Sequence, residues 1–171
     1  MKERSSTSDI CDAFGGQVRV PKSEFRHFGK RTVFEGNVTT VSVETDNKEV
    51  VSVLKEQGKG RVLVVSARDK CFSAIVGDRL AKIAVDNSWA GLVIDGAVRD
   101  IDELGCFDIG VMAKSVFPVR GEQTGGGVVG GILDIDGVEV SSGDYCYADR
   151  DGVIFCDSEV DLPANEPVFR S

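Results

Sequence analysis

Between positions 78 and 103 stand several side chains that could do chemistry together: Asp78, Arg99, Asp100, Asp102 and Glu103. Their carboxylates are hard oxygen donors of the kind that Mg2+ or Mn2+ takes. Arg99 adds a planar guanidinium that can grip a carboxylate through two parallel bonds. Such a set suits a small anionic substrate held beside a divalent metal. Asp78 opens a predicted helix, where free N–H groups and a partial positive charge would favour an anion. Each residue also has a plainer reading. Asp78 alone could be a helix cap, Arg99 and Asp100 a surface pair, and Asp102 and Glu103 a solvated first turn. Their spacing is what joins them.

The elements that must position this set can be read from periodicity and punctuation. Thr7-Ser8-Asp9 offers caps for a short opening helix carrying Ile10, Ala13 and Phe14. Residues 31–45 are rich in Val, Thr and Phe and predict strands broken near Gly36-Asn37. Asp46-Asn47 predict a helix through Gln57, ended by Gly58, with Val50, Val51 and Leu54 on one face. Arg61 to Ser66 and Gly91 to Asp95 are short apolar strands of the buried, parallel kind. A helix starting at Gly77-Asp78 lies between them, and another is predicted from about Val98 to Leu104. Ile109 to Lys114 is a third apolar strand. If the strands are parallel, Asp78 and Arg99-Asp100 emerge at the same, carboxyl end of one sheet, where open α/β sheets bind ligands. Beyond 130, Asp136-Gly137 and Asp151-Gly152 predict β-hairpin turns, so a β-rich layer is added to the α/β one.

Two other motifs do not carry function. Gly125-Gly-Gly127-Val-Val-Gly130 matches the letters of a dinucleotide fingerprint, but no helix follows it. Asp149-Arg150-Asp151-Gly152 begins like a calcium loop, yet Val-Ile-Phe-Cys occupies the positions where ligands should follow. We read it as a turn. Five cysteines with no C-x-x-C pair, and one His in the chain, fit buried reduced thiols better than disulfides or a Cys/His zinc site. His27 reads as structural or exposed, and Trp89 as core or interface packing.

Composition bounds the rest. A chain of 171 residues, 42% hydrophobic and 28% charged, fits one globular domain over 1–171. Its net charge of −8 argues against nucleic-acid phosphate as the main partner. No apolar run is long enough for a membrane span, and the polar first ten residues do not resemble a signal peptide, so a cytoplasmic location is expected.

Asp78, then twenty residues, then Arg99-Asp100, two residues and Glu103 reproduces the pattern D-x20-R-D-x2-E/D. Together with Gly77-Asp-Arg-Leu-Ala81, Trp89-Ala-Gly-Leu-Val-Ile-Asp-Gly-Ala-Val-Arg99 and Ser142-Gly-Asp-Tyr-Cys-Tyr-Ala-Asp149, it resembles the family of 4-hydroxy-4-methyl-2-oxoglutarate aldolases and regulators of ribonuclease activity A. The likeness spans about residues 6–160, leaving short tails. It implies a three-layer β/β/α fold of the swivelling type, assembled as a homotrimer or hexamer, with the site near a subunit boundary.

For the site, the resemblance implies that Asp100 binds the metal directly while Asp78 and Glu103 act through water. Arg99 would contact a 2-oxo acid, and Gly77, Asp78, Arg79 and Leu80 would cradle its carboxylate. The chemistry implied is retro-aldol cleavage to pyruvate, with the metal polarising the keto oxygen and oxaloacetate decarboxylation as a side activity. No Schiff-base Lys is called for. The same family contains regulators that bind and inhibit a ribonuclease without chemistry of their own. Those lack the acidic residue after the Arg, which is present here as Asp100. Some relatives are described as methyltransferases of quinone synthesis, for which this sequence offers no nucleotide-type site.

Overall fold

The computed structural model of the chain describes residues 6–44, 47–67, 73–121 and 126–162. Helix α1 (Thr7–Phe14) is capped by Ser6, one residue earlier than predicted, and Ser6 Oγ accepts from the Asp9 N–H at 3.1 Å. Thr7 and Asp9 therefore lie inside the first turn. A two-residue strand, β1 (Arg26–His27), precedes β2 (Phe34–Ser42). The predicted break at Gly36-Asn37 does not occur. Instead β2 changes partner there, and Gly36 is required because a Cβ would lie 2.2 Å from the Gly60 carbonyl oxygen.

Helix α2 (Lys48–Leu54) begins after Asn47 and stops short of the predicted Gln57. Asn47 makes no side-chain cap; its amide donates to Ile75 O at 2.9 Å instead. Asp46 lies outside the described residues. Gly58 does not end the helix but leaves room for Trp89, whose ring atoms would sit 2.6 Å from a Cβ placed there. Trp89 is buried and donates to Glu56 O, so its role is core packing.

The next segments set the site. Strand β3 (Val62–Ser66) is fully buried. A three-residue strand, β4 (Ala74–Val76), was not predicted; it leads directly into α3 (Asp78–Asp86). Strand β5 runs from Gly91 to Val98, three residues beyond the prediction, so α4 shrinks to Ile101–Leu104. Strand β6 (Gly110–Val116) follows, then a short β7 (Val128–Val129). Two hairpins complete the described chain: β8 (Leu133–Ile135) with β9 (Val138–Val140), and β10 (Tyr145–Ala148) with β11 (Val153–Cys156). Both form around the predicted Asp-Gly turns. The glycines after 125 open no helix and lead into β7, while Gly125 itself lies outside the described residues.

The main sheet has the order β1-β6-β5-β3-β2-β10-β11. Neighbours among β6, β5, β3 and β2 are parallel, and β4 adds alongside β5 in the same direction. On one face, Val50, Leu54, Leu80, Ala84 and Leu104 from the three helices pack on Leu63, Leu92, Ile94 and Val111. On the other, Val62, Val64, Val93 and Met112 meet Leu133, Ile135, Val140, Cys146 and Phe155. The sheet curls so that its hairpin end forms a second layer, giving the expected β/β/α arrangement. A smaller cluster of Ile10, Tyr145, Tyr147 and Ile154 seats α1 on the outer hairpin.

The cysteine expectation holds for two of the four described thiols. Cys146 and Cys156 are buried, and burial pushes both thiols up in pKa. Cys106 is exposed and Cys11 half-buried, while Cys71 lies outside the described residues. His27 is structural, its Nε2 bonded to the Asp149 carbonyl oxygen. Asp149 in turn accepts from both Thr7 N and Thr7 Oγ1 at 2.7 Å, so the Asp149–Gly152 turn ties down α1.

Candidate functional site

Strand β4 explains why Asp78 and Asp100 meet. Val76 pairs with Val98, and Arg99 N–H donates to Val76 O at 3.0 Å. The residues leaving the two strands, Gly77-Asp78 and Arg99-Asp100, are therefore held side by side at the carboxyl edge of the sheet. This is the edge predicted to carry the site.

Gly77 is the N-cap of α3, and Asp78 is its first helical residue rather than its cap. Gly77 has ordinary extended backbone, so its lack of a side chain is needed for space. A Cβ would sit 2.4 Å from Asp100 Oδ2 and 3.2 Å from Arg99 Cγ. Asp100 Oδ2 faces Arg99 Nε at 3.3 Å and the Asp78 N–H at 3.5 Å. Among the described residues no donor reaches Asp100 Oδ1. One oxygen thus faces two N–H groups, in the space that Gly77 leaves by lacking a Cβ, while the other has no donor among the described residues. Asp100 Oδ1 is a hard oxygen donor of the kind that could take a divalent cation.

Asp100 adopts a left-handed conformation, φ 55° and ψ 46°, as it caps α4. Its carbonyl accepts from Leu104 N–H at 2.9 Å. Non-glycine residues at such angles cost of order 1–3 kcal/mol and concentrate at functional sites. Glu103 and Asp102 lie exposed in α4 and make no side-chain bond to Asp78 or Asp100. Among the described residues no three His, Cys, Asp or Glu side chains converge as a ready-made metal cluster. The structure therefore brings Gly77, Asp78, Arg99 and Asp100 together and leaves Glu103 apart.

Beside this corner lies a cavity of about 290 Å3, lined by Gly77, Asp78, Arg79, Leu80 and Arg99 from the predicted set. The start of α3 faces it, though the Arg79 N–H is occupied by its neighbour's Asp78 Oδ1 at 2.7 Å. A carboxylate entering the turn must displace that side chain. The Leu80 N–H has no acceptor among the described residues.

Sequence reasoning missed three polar residues of the wall: Asn47, Lys55 and Arg120. Asn47 Oδ1 is buried without a partner. Lys55 follows the last turn of α2, and Arg120 is brought in by a bridge to Ala74 beyond β6. Lys55 is a lysine in this wall. It is exposed, however, whereas Schiff-base lysines are activated by desolvation or a cationic neighbour. Arg120 has no local signal, since only the tertiary bridge reveals it.

Residues 7–155 match the RraA-like family, described as Aldolase/RraA. The chain is 38% identical over 159 residues to a Vibrio cholerae protein, covering 93% of this chain and 99% of that one. It is 42% identical over 148 residues to one from Alkalilimnicola ehrlichii, covering 86% and 92%. Both carry the name "Putative 4-hydroxy-4-methyl-2-oxoglutarate aldolase". Among solved structures, it is similar to one described as an S-adenosylmethionine:2-dimethylmenaquinone methyltransferase from Geobacillus kaustophilus, with TM-score 0.89 and 37% identity over 91% of this chain and 97% of that one. It is also similar to the RNA-processing inhibitor RraA from Thermus thermophilus, with TM-score 0.88 and 36% identity over 93% and 96%.

Proposed function

The chain belongs to the RraA-like family of aldolase and RraA proteins, and from that premise we propose that it is a divalent-metal-dependent lyase that cleaves 2-oxo acids to pyruvate. The substrate class is 4-hydroxy-4-methyl-2-oxoglutarate and its analogues, with oxaloacetate decarboxylation at the same site. The observation that carries this reading is the corner where Asp100 Oδ2 meets Arg99 and the Asp78 N–H, with Arg99 and the start of α3 also lining one cavity.

Asp100 would hold Mg2+ or Mn2+, which when bound supplies Lewis-acid polarisation of the 2-oxo carbonyl. The N-terminus of α3, at Gly77 to Leu80, receives the substrate carboxylate, because its N–H groups and dipole favour an anion. Asp78 must swing off the Arg79 N–H to admit it, and is then free to face the reacting end. Arg99 donates toward the keto oxygen. As the C3–C4 bond breaks, its electron pair moves onto that oxygen as an enolate. One preorganised donor there is typically worth about 10²–10³ in rate. The proton of the C4 hydroxyl leaves to Asp78 or Glu103 through an intervening water. Asn47 Oδ1, buried and without a donor, is available to accept from that water's second hydrogen. C4 leaves as a carbonyl compound, and the same proton, returned through that water to C3, gives pyruvate. Loss of CO2 from oxaloacetate leaves the same enolate, so the same groups serve both reactions.

The Thermus structure supports a second reading, in which the chain binds and inhibits a ribonuclease. Asp100 favours the enzyme, since an inhibitor has no need of an open carboxylate oxygen in a left-handed residue. A coupled assay for pyruvate released from 4-hydroxy-4-methyl-2-oxoglutarate and from oxaloacetate, with Mg2+ or Mn2+, separates the two. Release from both is expected. No release from either, together with inhibition of a ribonuclease, would establish the regulator reading. Gly126 and Gly127 lead into β7 and no helix follows them among the described residues, which gives the methyltransferase description no nucleotide loop there.

A further inference from the structure

We propose that Asp95 is a positioning residue for the site: held between Ser66 of β3 and Lys114 of β6, it pins a bulge in β5 that delivers Arg99 and Asp100 to the Gly77 corner. The inference deepens the lyase reading and rests on it for the kinetic and metal-binding arms of its test.

Strand β5 does not run evenly beside β6. The two pair in one register up to Ile94 with Ala113, and in another from Ala97 with Ser115. Asp95 and Gly96 of β5 together therefore stand opposite Lys114 alone. This is a β-bulge, uncommon between parallel strands and over-represented next to active sites, where it redirects the chain that follows. On its other side, β5 changes partner at the same place. Ser66 of β3 pairs with Asp95, and the following pair is Ala74 of β4 with Ala97. The contacts that place Arg99 all lie beyond this point. They are the pairing of Val76 with Val98 and the Arg99 N–H bond to Val76 O.

The Asp95 carboxylate holds the bulge from both sides. Its Oδ2 accepts from Ser66 Oγ at 3.2 Å, and its Oδ1 meets Lys114 Nζ. One side chain thus ties β3, β5 and β6 together where the register shifts. Lys114 also reaches Asp136, in the turn between β8 and β9, so the second layer is drawn to the same point. Gly96 completes the bulge, since a Cβ there would lie 2.8 Å from Ile75 Cδ1 and 3.0 Å from Ala67 Cβ. Asp95 is only 9% exposed. A buried ion pair is seldom more stabilising than apolar side chains of the same volume, so stability alone does not account for this one. What it adds is direction, because each oxygen is satisfied only by a donor at a fixed place. Asp95 precedes Arg99 by four residues and acts on the corner through the backbone between them.

The test compares Asp95→Asn and Lys114→Gln with Asp136→Asn, all assayed well below their melting temperatures. Asp136→Asn also takes a carboxylate from Lys114 and lowers stability, but it leaves the bulge pinned. Asp95→Asn and Lys114→Gln are expected to weaken Mn2+ binding, read by electron paramagnetic resonance, about tenfold. They should also lower kcat/KM for 4-hydroxy-4-methyl-2-oxoglutarate about 10–100-fold, the scale on which small misplacements act. Asp136→Asn should leave both quantities close to wild type. Amide hydrogen exchange reads the backbone directly. The Arg99 amide should lose protection in Asp95→Asn while those of Leu63 and Val64 keep theirs, and Asp136→Asn should preserve all three. Equal effects of Asp95→Asn and Asp136→Asn on the site, or wild-type metal binding with a protected Arg99 amide in Asp95→Asn, would overturn the proposal. If the wild type binds no Mn2+ and releases no pyruvate, the lyase reading fails and the Arg99 amide alone decides the positioning role. Should Asp95→Asn not fold, Lys114→Gln carries the same comparison.

Discussion

Asp100 and Gly77 act as a pair: one supplies a carboxylate held in a left-handed turn, the other supplies the space that carboxylate occupies. Asp100→Asn keeps the side-chain shape and tolerates the same backbone angles, so the fold should survive while metal affinity and pyruvate release are largely lost. Gly77→Ala should also abolish most activity, because its methyl group would meet Asp100 Oδ2. Asp78→Asn keeps an oxygen for the Arg79 N–H, so α3 should persist. Its turnover should nevertheless fall about 10–100-fold, the usual effect of an outer carboxylate at a metal site. Arg99→Lys keeps charge but loses the fork and should worsen KM and kcat together. Steady-state kinetics beside melting curves read all four, and wild-type turnover in folded Asp78→Asn and Asp100→Asn would remove the metal site from the account. At this scale the sequence was informative where residues lie next to strand ends, as with Asp78, Arg99 and Asp100. It was silent on Asn47, Lys55 and Arg120, which reach the cavity only through packing, and the Glu103 expectation finds no contact in the structure to support it.

The central strands were readable because buried parallel strands are continuous apolar runs, and the hairpins because Asp-Gly turns mark them. Strand β4 escaped because Ala74-Ile75-Val76 is too short to show a period, although it is the element that aligns Gly77 with Arg99. Glycines misled at Gly36 and Gly58, where they mark close approach rather than a break. The same logic makes a stability prediction. The Phe34 ring lies against both Gly91 and Gly110, and a Cβ on Gly110 would sit 2.0 Å from it. Gly110→Ala should therefore destabilise the sheet by about 1–3 kcal/mol, the cost of overpacking a core, seen as a lower denaturant midpoint. A second concerns pH. The Asp136 carboxyl is held below its ordinary value by hydrogen bonds from Lys114 and Ser23. Burial works to lower the Lys114 ammonium, but its bonds to Asp136 and Asp95 outweigh this and hold it high. A depressed carboxyl contributes stability above its unfolded value near 3.9 and loses it as pH falls through the folded value. Asp136→Asn, which suits the left-handed backbone there, should lower stability at neutral pH and flatten the loss in acid. An acid limb as steep as that of wild type would remove Asp136 from it.

For the molecule as a whole, the layered fold matched the expectation because both sheet faces carry apolar side chains that must be covered. Assembly is a separate proposal. Val116, Val119, Val128, Val129 and Ile132 are exposed apolar side chains that a neighbouring subunit could cover. Light scattering should give a mass that is three or six times 18.3 kDa; a monomer at micromolar concentration would contradict this. No described helix is long and apolar enough to cross a membrane. The claim on which the account turns is that cleavage depends on a divalent ion at Asp100 rather than on a lysine adduct at Lys55. The direct measurement is pyruvate release from 4-hydroxy-4-methyl-2-oxoglutarate by protein stripped with EDTA, before and after adding Mg2+ or Mn2+, with borohydride present in a parallel reaction. The account predicts no release from stripped protein, recovery on adding metal, and no covalent trapping. Full activity without metal, or inactivation by borohydride at Lys55, would contradict it.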